Sequence, residues 1–245
     1  MIAPLYQLPI KGVLWYQGEG NAKTRESCVQ YENLLKDLVV TWRANWGNAT
    51  MPFLVVQLPG FGKATGKINT KQNWPWMRES QKNIEDLNNC QTICVIDSGM
   101  QRDIHPPYKE NVGKRLAYAA QSTVYKQDSV PQSPEYSAHQ FDDESTLITL
   151  KNVGSGLSTS NPLIKDMNYN DGEVLGFTVM NANGEYQRAT GEVIAYNQIR
   201  VRHPGISTPK SIRYGWENFP NLNLFGSGNM PAFPFRTDQY SPFAN

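Results

Sequence analysis

The first 130 or so residues alternate short apolar runs with stretches whose apolar positions recur every three or four residues. "GVLWY" (12–16), "FLVVQL" (53–58) and "TICVID" (92–97) have the length and side chains of buried strands. After each comes a helical pattern. Cys28, Tyr31, Leu35, Leu38 and Trp42 fall at steps of three and four, which predicts an amphipathic helix over about 25–45, stopped near Gly47. Residues 74–88 predict a second helix, with Pro75 in its first turn and Met77, Ile84 and Leu87 inward. Residues 108–125 predict a third, carrying Val112, Leu116, Ala119 and Ala120 on one stripe. Strand then helix, three times over, is the pattern of a parallel sheet with helices on both faces.

From about residue 132 the period shortens. "STLITL" (145–150), "VLGFTVM" (174–180), "EVIAYNQIRVRHP" (192–204) and "SIRYGW" (211–216) read as strands, and "NANG" (181–184) as a hairpin turn. This half reads as antiparallel and sandwich-like, ending in an irregular strap rich in Pro, Gly and aromatics. The expected organisation is an α/β unit over 1–131 and a β-rich region over 132–245. Three parallel strands make a small sheet. Further strands are therefore expected from chain upstream or from another chain.

Composition removes several function classes. Hydrophobic residues make up 39% and charged residues 18%, as in a folded protein. The net charge of +1 gives no electrostatic case for nucleic acid. No apolar run approaches the ~18–20 residues of a membrane span, and "MIAPLYQLPI" has no secretory leader pattern. The three cysteines, Cys28, Cys90 and Cys94, form no C-x-x-C. They predict free thiols rather than a disulfide framework or a zinc site, and no metal or cofactor is expected. Abundant Trp, Tyr, Asn and Gly suit carbohydrate, whose C–H faces stack on aromatic rings.

Functional residues in such sheets gather at the carboxyl ends of strands. Two polar clusters lie there: Gln17, Gly18, Glu19, Gly20 and Asn21 after the first strand, and "DSGMQRDIHPPYK" (97–109) after the third. Of three histidines, only His105 has a carboxylate close by, Asp103 two residues before it, able to orient an imidazole and stabilise its protonated form. His139 and His203 lie in the β-rich half without such a neighbour. Gln17 and Asn21 are candidate oxyanion donors, and Glu19 could orient that amide or the histidine. The nucleophile is harder to place. Ser98 sits only seven residues before His105 on the same loop, Ser80 lies mid-helix and Ser27 is a helix-cap residue. No Gly-x-Ser-x-Gly elbow occurs.

"IKGVLWYQGEGNA", "TWRANWG", "PFLVVQLPGF", "WMRESQ", "DIHPPYK" and "IRYGWENFPNLNLFGSGNMPAFPFRTD" occur in this order over nearly the whole chain. In these segments the chain resembles the bacterial sialate O-acetylesterases, carbohydrate esterases of the SGNH-hydrolase class. The resemblance implies a partial flavodoxin-like, three-layer SGNH α/β domain with added β-rich structure. It implies acetyl-ester hydrolysis on sugars such as sialic acids or plant glycans, by a Ser-His-Asp mechanism in the periplasm or outside the cell. It carries the base onto His105, the acid onto Asp103 and the oxyanion role onto Gln17, with Glu19 and Asn21 in support. The "D-x-H" spacing departs from the usual D-x-x-H, which leaves Glu19 or Asp97 to share the acid's task. Gly20 stands where the family usually has serine. The family's nucleophilic serine lies upstream of "WYQGE", so it is expected outside this chain. Two alternatives stand beside this reading: a non-catalytic carbohydrate-binding remnant, and a subunit completed by another chain or a second copy that supplies the missing strand.

Overall fold

In the computed structural model, which describes residues 2–64, 68, 71–159, 170 and 172–240, three strands run parallel. They are β1 (Val13–Trp15), β2 (Phe53–Val56) and β3 (Cys90–Ile93), in the order β1-β2-β3. Each is followed by a helix: α1 (Arg25–Asn45), α2 (Trp74–Lys82) and α3 (Glu110–Thr123). Successive side chains of a strand point to opposite faces, and β2 shows where the helices lie. Phe53 and Val55 pack with Tyr31, Leu35 and Val39 of α1 and Met77 of α2. Leu54 and Val56 pack with Val112 and Ala119 of α3, together with Ile93 and Val95. Two helices therefore cover one face and one helix the other. Right-handed crossovers require this for β1→β2→β3, because both connections advance in the same direction.

The helix patterns translate closely. Thr24 caps α1 by accepting from the Ser27 N–H at 3.1 Å, while the Thr24 N–H donates to Ser27 Oγ. The helix ends at Asn45, ahead of Gly47, which adopts φ +62°. The second helix is shorter than 74–88: it stops being α-helical at Lys82 and tightens into a 3₁₀ turn over Asn83–Asp86. The third strand pairs with β2 through Cys90–Ile93, two residues earlier than "TICVID" suggests. Cys94, Val95 and Ile96 stay buried but leave the ladder. Cys94 and Ile96 join the core of the β-rich half, where they pack with Phe177, Tyr214 and Leu222.

That half contains β4 (Glu135–Phe141), β5 (Ser145–Lys151), β6 (Ser158–Thr159), β7 (Glu173–Met180), β8 (Tyr186–Ala195), β9 (Gln198–Arg202), β10 (Ser211–Tyr214), β11 (Leu224–Gly226), β12 (Met230–Pro231) and β13 (Phe235–Arg236). Seven form an antiparallel sheet in the order β13-β10-β7-β8-β9-β5-β4. A smaller sheet has the order β12-β11-β6. The fold is thus mixed α/β, with a parallel sheet and a large antiparallel one. "EVIAYNQIRVRHP" is a hairpin rather than one strand. It turns at Tyr196–Asn197, where the Asn197 carbonyl and side chain hold Leu150 of β5. The apolar alternation runs on across the turn and hides it. The tail carries three short strands where an irregular strap is the sequence-based expectation.

Arg213 grips Asp238 with Nε at 2.6 Å and Nη2 at 3.0 Å, and Tyr186 donates to the same carboxylate at 2.8 Å. Arg236 joins Asp238 at 3.1 Å and also pairs with Glu79 of α2, tying the antiparallel sheet to the parallel one. Burial alone would raise the Asp238 pKa, but hydrogen bonds and charge from Arg213, with Tyr186 and Arg236 adding, bring it below the usual carboxylate range. A depressed carboxylate pKa stabilises the fold above its unfolded value of ~3.9, and the gain disappears as pH falls through the folded value. Thermal unfolding of the wild type is therefore expected to weaken more steeply below about pH 4 than that of Asp238→Asn. Parallel slopes in melts over this range would show that the cluster is not linked to acid stability.

Candidate active site

The chain leaves β1 at Trp15 and reaches Gln17 just beyond its carboxyl end. Gly18 follows with φ +148°, and a Cβ there would meet Gln81 Nε2 at 2.9 Å, so only glycine fits. Glu19–Asn21 then form a 3₁₀ turn. The turn folds Asn21 back so that its Oδ1 accepts from Gln17 Nε2 at 3.1 Å. Of the two candidate supporting groups, Asn21 is the one that touches the Gln17 amide. The Gln17 carbonyl accepts from Tyr31 Oη and from Gln81 Nε2, both at 3.0 Å. Trp15 Nε1 in turn donates to Tyr31 Oη at 3.0 Å. Gln17 is thus fastened through its main chain by α1 and α2 and through its side chain by Asn21. An amide held this way is preorganised in the manner an oxyanion donor requires. Glu19 lies beside Tyr16. Burial, with the Glu19 charge adding, pushes the Tyr16 phenol up to about 12.

The loop after β3 approaches this turn. Gly99 packs directly against Gly60, where any Cβ would collide with main chain, and Phe61 bridges Met100. Further along, Ile104 packs on the core that contains Ala22, Tyr31 and Met77. Lys109 Nζ lies 4.8 Å from the centre of the Tyr16 ring. His105, between these two anchors, is exposed. Asp103 Oδ1 accepts the His105 main-chain N–H at 2.8 Å, which closes the loop as an Asx turn. In this structure, then, Asp103 holds the backbone of His105. Asp97 is engaged elsewhere: Arg115 contacts its two oxygens at 2.5 and 2.7 Å and is itself buried. Asp97 fixes α3 to the end of β3.

The other histidines are structural. His203 is buried between Thr146 Oγ1 at 2.9 Å and the Ile206 carbonyl at 3.1 Å. His139 Nδ1 meets Tyr136 Oη at 2.6 Å. The serines near the site have other partners. Ser27 Oγ donates to the Asn21 carbonyl at 2.6 Å inside the α1 cap. Ser80 is buried in α2. Ser98 Oγ donates toward Asp97 at 3.4 Å. Among the described residues no cluster of His, Cys, Asp and Glu could hold a metal, and no helix is long and apolar enough to cross a membrane. Cys28 and Cys94 are buried free thiols, each raised to about 12 chiefly by burial.

Two site-forming residues escape the sequence pattern. Arg78 is fully buried in α2 and donates to four carbonyls: Leu58 (2.9 Å), Pro59 (3.2 Å), Glu217 (2.7 Å) and Asn218 (2.8 Å). Gln81, one turn on, accepts the Leu58 N–H at 2.8 Å as it donates to Gln17. The "WMRESQ" segment therefore holds the carboxyl ends of β1 and β2 in place. The signal was an arginine and a glutamine three apart on a helix otherwise rich in Trp and Met.

Residues 3–122 match the family described as carbohydrate esterase, sialic acid-specific acetylesterase. The crystal structure of XAC1771, a carbohydrate acetylesterase from Xanthomonas citri, superposes with a TM-score of 0.86 at 35% identity, over 98% of this chain. Over residues 3–122 the chain is thus similar to the sialic acid-specific acetylesterases. It spans 53% of the length of XAC1771. A protein from Arabidopsis thaliana is more distant, at 23% identity and a TM-score of 0.39, with 47% of this chain and 46% of that one covered. No curated protein matches. Within the acetylesterase family segment fall both site clusters: the Gln17–Asn21 turn and the loop that carries Asp103 and His105.

Proposed function

We propose that this chain provides the base and oxyanion walls of an SGNH-type carbohydrate O-acetylesterase. The observation that supports the reading is the contact between the two segments: Lys109 Nζ, on the loop that carries His105, lies 4.8 Å from the centre of the Tyr16 ring, next to the clamped Gln17. His105 is the general base. It takes the proton of a serine hydroxyl as that oxygen attacks the acetyl carbonyl, and later takes one from the water that hydrolyses the acetyl-enzyme. Gln17 Nε2 stabilises the oxyanion, an interaction worth about 3 kcal/mol of barrier in comparable sites. Asn21 holds that amide, and Asp103 sets the loop that presents the imidazole. The substrate is an acetylated sugar met outside the cytoplasm.

The nucleophilic serine belongs to a portion of the enzyme beyond these residues, since Ser27, Ser80 and Ser98 are capped, buried or paired with a carboxylate. Hydrolysis of 4-nitrophenyl acetate by this chain alone is expected to stay at background. Turnover that disappears in Ser98→Ala or Ser27→Ala would contradict the external nucleophile. XAC1771 in which this chain replaces the region it matches, hereafter the swapped protein, is expected to hydrolyse the ester.

A further inference from the structure

Lys109 stands where a helix least favours it. It is the residue from which α3 starts: its carbonyl accepts the Gly113 N–H at 3.0 Å, and its side chain makes no cap on the first turn. Ser, Thr, Asp and Asn suit that position, because their side-chain oxygens accept the free N–H groups. A cation there opposes the positive end of the helix dipole. Local rules of this kind are broken chiefly at functional sites. The compensating contact lies across the sheet. The Lys109 side chain leaves its own helix and sets Nζ 4.8 Å from the centre of the Tyr16 ring. Tyr16 follows β1 directly and precedes Gln17. Its half-buried ring packs against the core that contains Val56 of β2 and Val112 of α3. His105 lies four residues before Lys109, with Pro106 and Pro107 between them and Pro106 buried. Two prolines restrict the intervening backbone, so the place of Lys109 is passed on to His105.

We propose that Lys109 is a positioning residue: its ammonium, seated on the Tyr16 ring, sets the separation between the His105 imidazole and the Gln17 amide. The two groups sit on different strand ends, β3 and β1, which are not neighbours in the sheet. Base and oxyanion donor must nevertheless serve one reacting carbonyl, and a misplacement of about 1 Å is enough to cost roughly 100-fold in rate. The far end of the His105 loop is already fixed, by Asp97 on Arg115 and by Gly99 against Gly60. Lys109 fixes the near end to the residue beside Gln17. The ring supplies the seat through the negative face of its π-system, so the hydroxyl of Tyr16 is dispensable and the ring is not. The effect on rate rests on the acetylesterase reading; the seating of Lys109 on Tyr16 does not.

In the swapped protein Lys109→Gln, which keeps the length and removes the charge, is expected to lower kcat at least about tenfold. KM should stay within about twofold, because Lys109 acts through the base rather than on the substrate. Lys109→Arg should recover most of the rate, since a guanidinium also sits on an aromatic face. Tyr16→Phe should match the wild type to within about twofold, while Tyr16→Leu, which keeps the charge and removes its seat, should lose as much as Lys109→Gln. Lys114→Gln, exposed on the same helix, should change nothing. Tyr16→Leu also opens part of the core, so the loop is read directly in the chain alone. There the His105 amide, which Asp103 accepts, is expected to exchange at least about tenfold faster in Lys109→Gln than in the wild type. The thermal midpoint should stay within about 2 °C, because relief at the helix dipole offsets the lost contact. Unchanged His105 exchange overturns the proposal. So does full activity in Tyr16→Leu, which would make the charge itself, and not its seat, the active feature. Faster exchange in Lys109→Gln, with no ester hydrolysis by the unsubstituted swapped protein, upholds the positioning contact and counts against the acetylesterase reading instead.

Discussion

Arg78→Ala is expected to be among the most destabilising single changes in the described fold, at about 4 kcal/mol. The side chain is fully buried and, among the described residues, meets no carboxylate. Its partners are four main-chain carbonyls from two separate segments, 58–59 and 217–218. Burial pushes the guanidinium down to about 9, still above neutrality, so it remains a cation that the carbonyl dipoles solvate. Truncation leaves those carbonyls in a cavity with no donor. For a chain of this size the loss corresponds to roughly 10 °C in thermal midpoint. Arg78→Lys should recover part of it, because an ammonium reaches fewer carbonyls than the planar fork. A shift below about 2 °C for Arg78→Ala would show that water replaces the guanidinium without cost. The same substitution frees Leu58 and Pro59, next to the turn that holds Gln17, so it should also weaken any activity the site has.

The second large effect is chemical. In the swapped protein His105→Ala is expected to lower kcat by about a thousand-fold or more, the usual cost of losing a general base in acyl transfer. KM should change little, because the imidazole acts on the serine proton rather than on bound sugar. His105 is exposed on its loop, so added imidazole can reach the vacated position and should restore part of the rate. A structural histidine would not respond to it. His203, buried between Thr146 and Ile206, supplies the contrast: its removal should lower the thermal midpoint without an imidazole-dependent rate.

How far the sequence carries depends on whether the physics is local. The stripe from Cys28 to Trp42 and the Thr24 cap act within a few residues, and α1 is readable almost to its ends. "FLVVQL" is likewise readable, because β2 is buried on both faces and apolar throughout. The hairpin at Tyr196–Asn197 is not. Its apolar alternation continues across the turn, and what fixes the turn is a hydrogen bond to Leu150, far away in the chain. Arg78 and Gln81 fail for a related reason. Polar residues on a helix are normally read as facing solvent, but α2 lies between the parallel sheet and the segment 216–218, with Trp76 edge-on to Trp216 at 5.6 Å. Both sides are covered, so polar side chains turn inward to satisfy strand ends. Gln17, Asp103 and His105 can be picked out as candidates because chemistry restricts which residue types serve as donor, acid or base, but that Asp103 accepts the His105 main-chain N–H is visible only in the fold. The partner of Gln17 was not separable in sequence, since Glu19 and Asn21 flank the same turn and only its 3₁₀ geometry selects Asn21.

The most direct measurement is acetate release from an O-acetylated sugar by three proteins side by side: the chain alone, the swapped protein and its His105→Ala variant. We expect release only from the swapped protein, with the variant at least about a thousand-fold slower. Release by the swapped protein that is indifferent to His105 would contradict the assignment of this chain as the wall that carries the base.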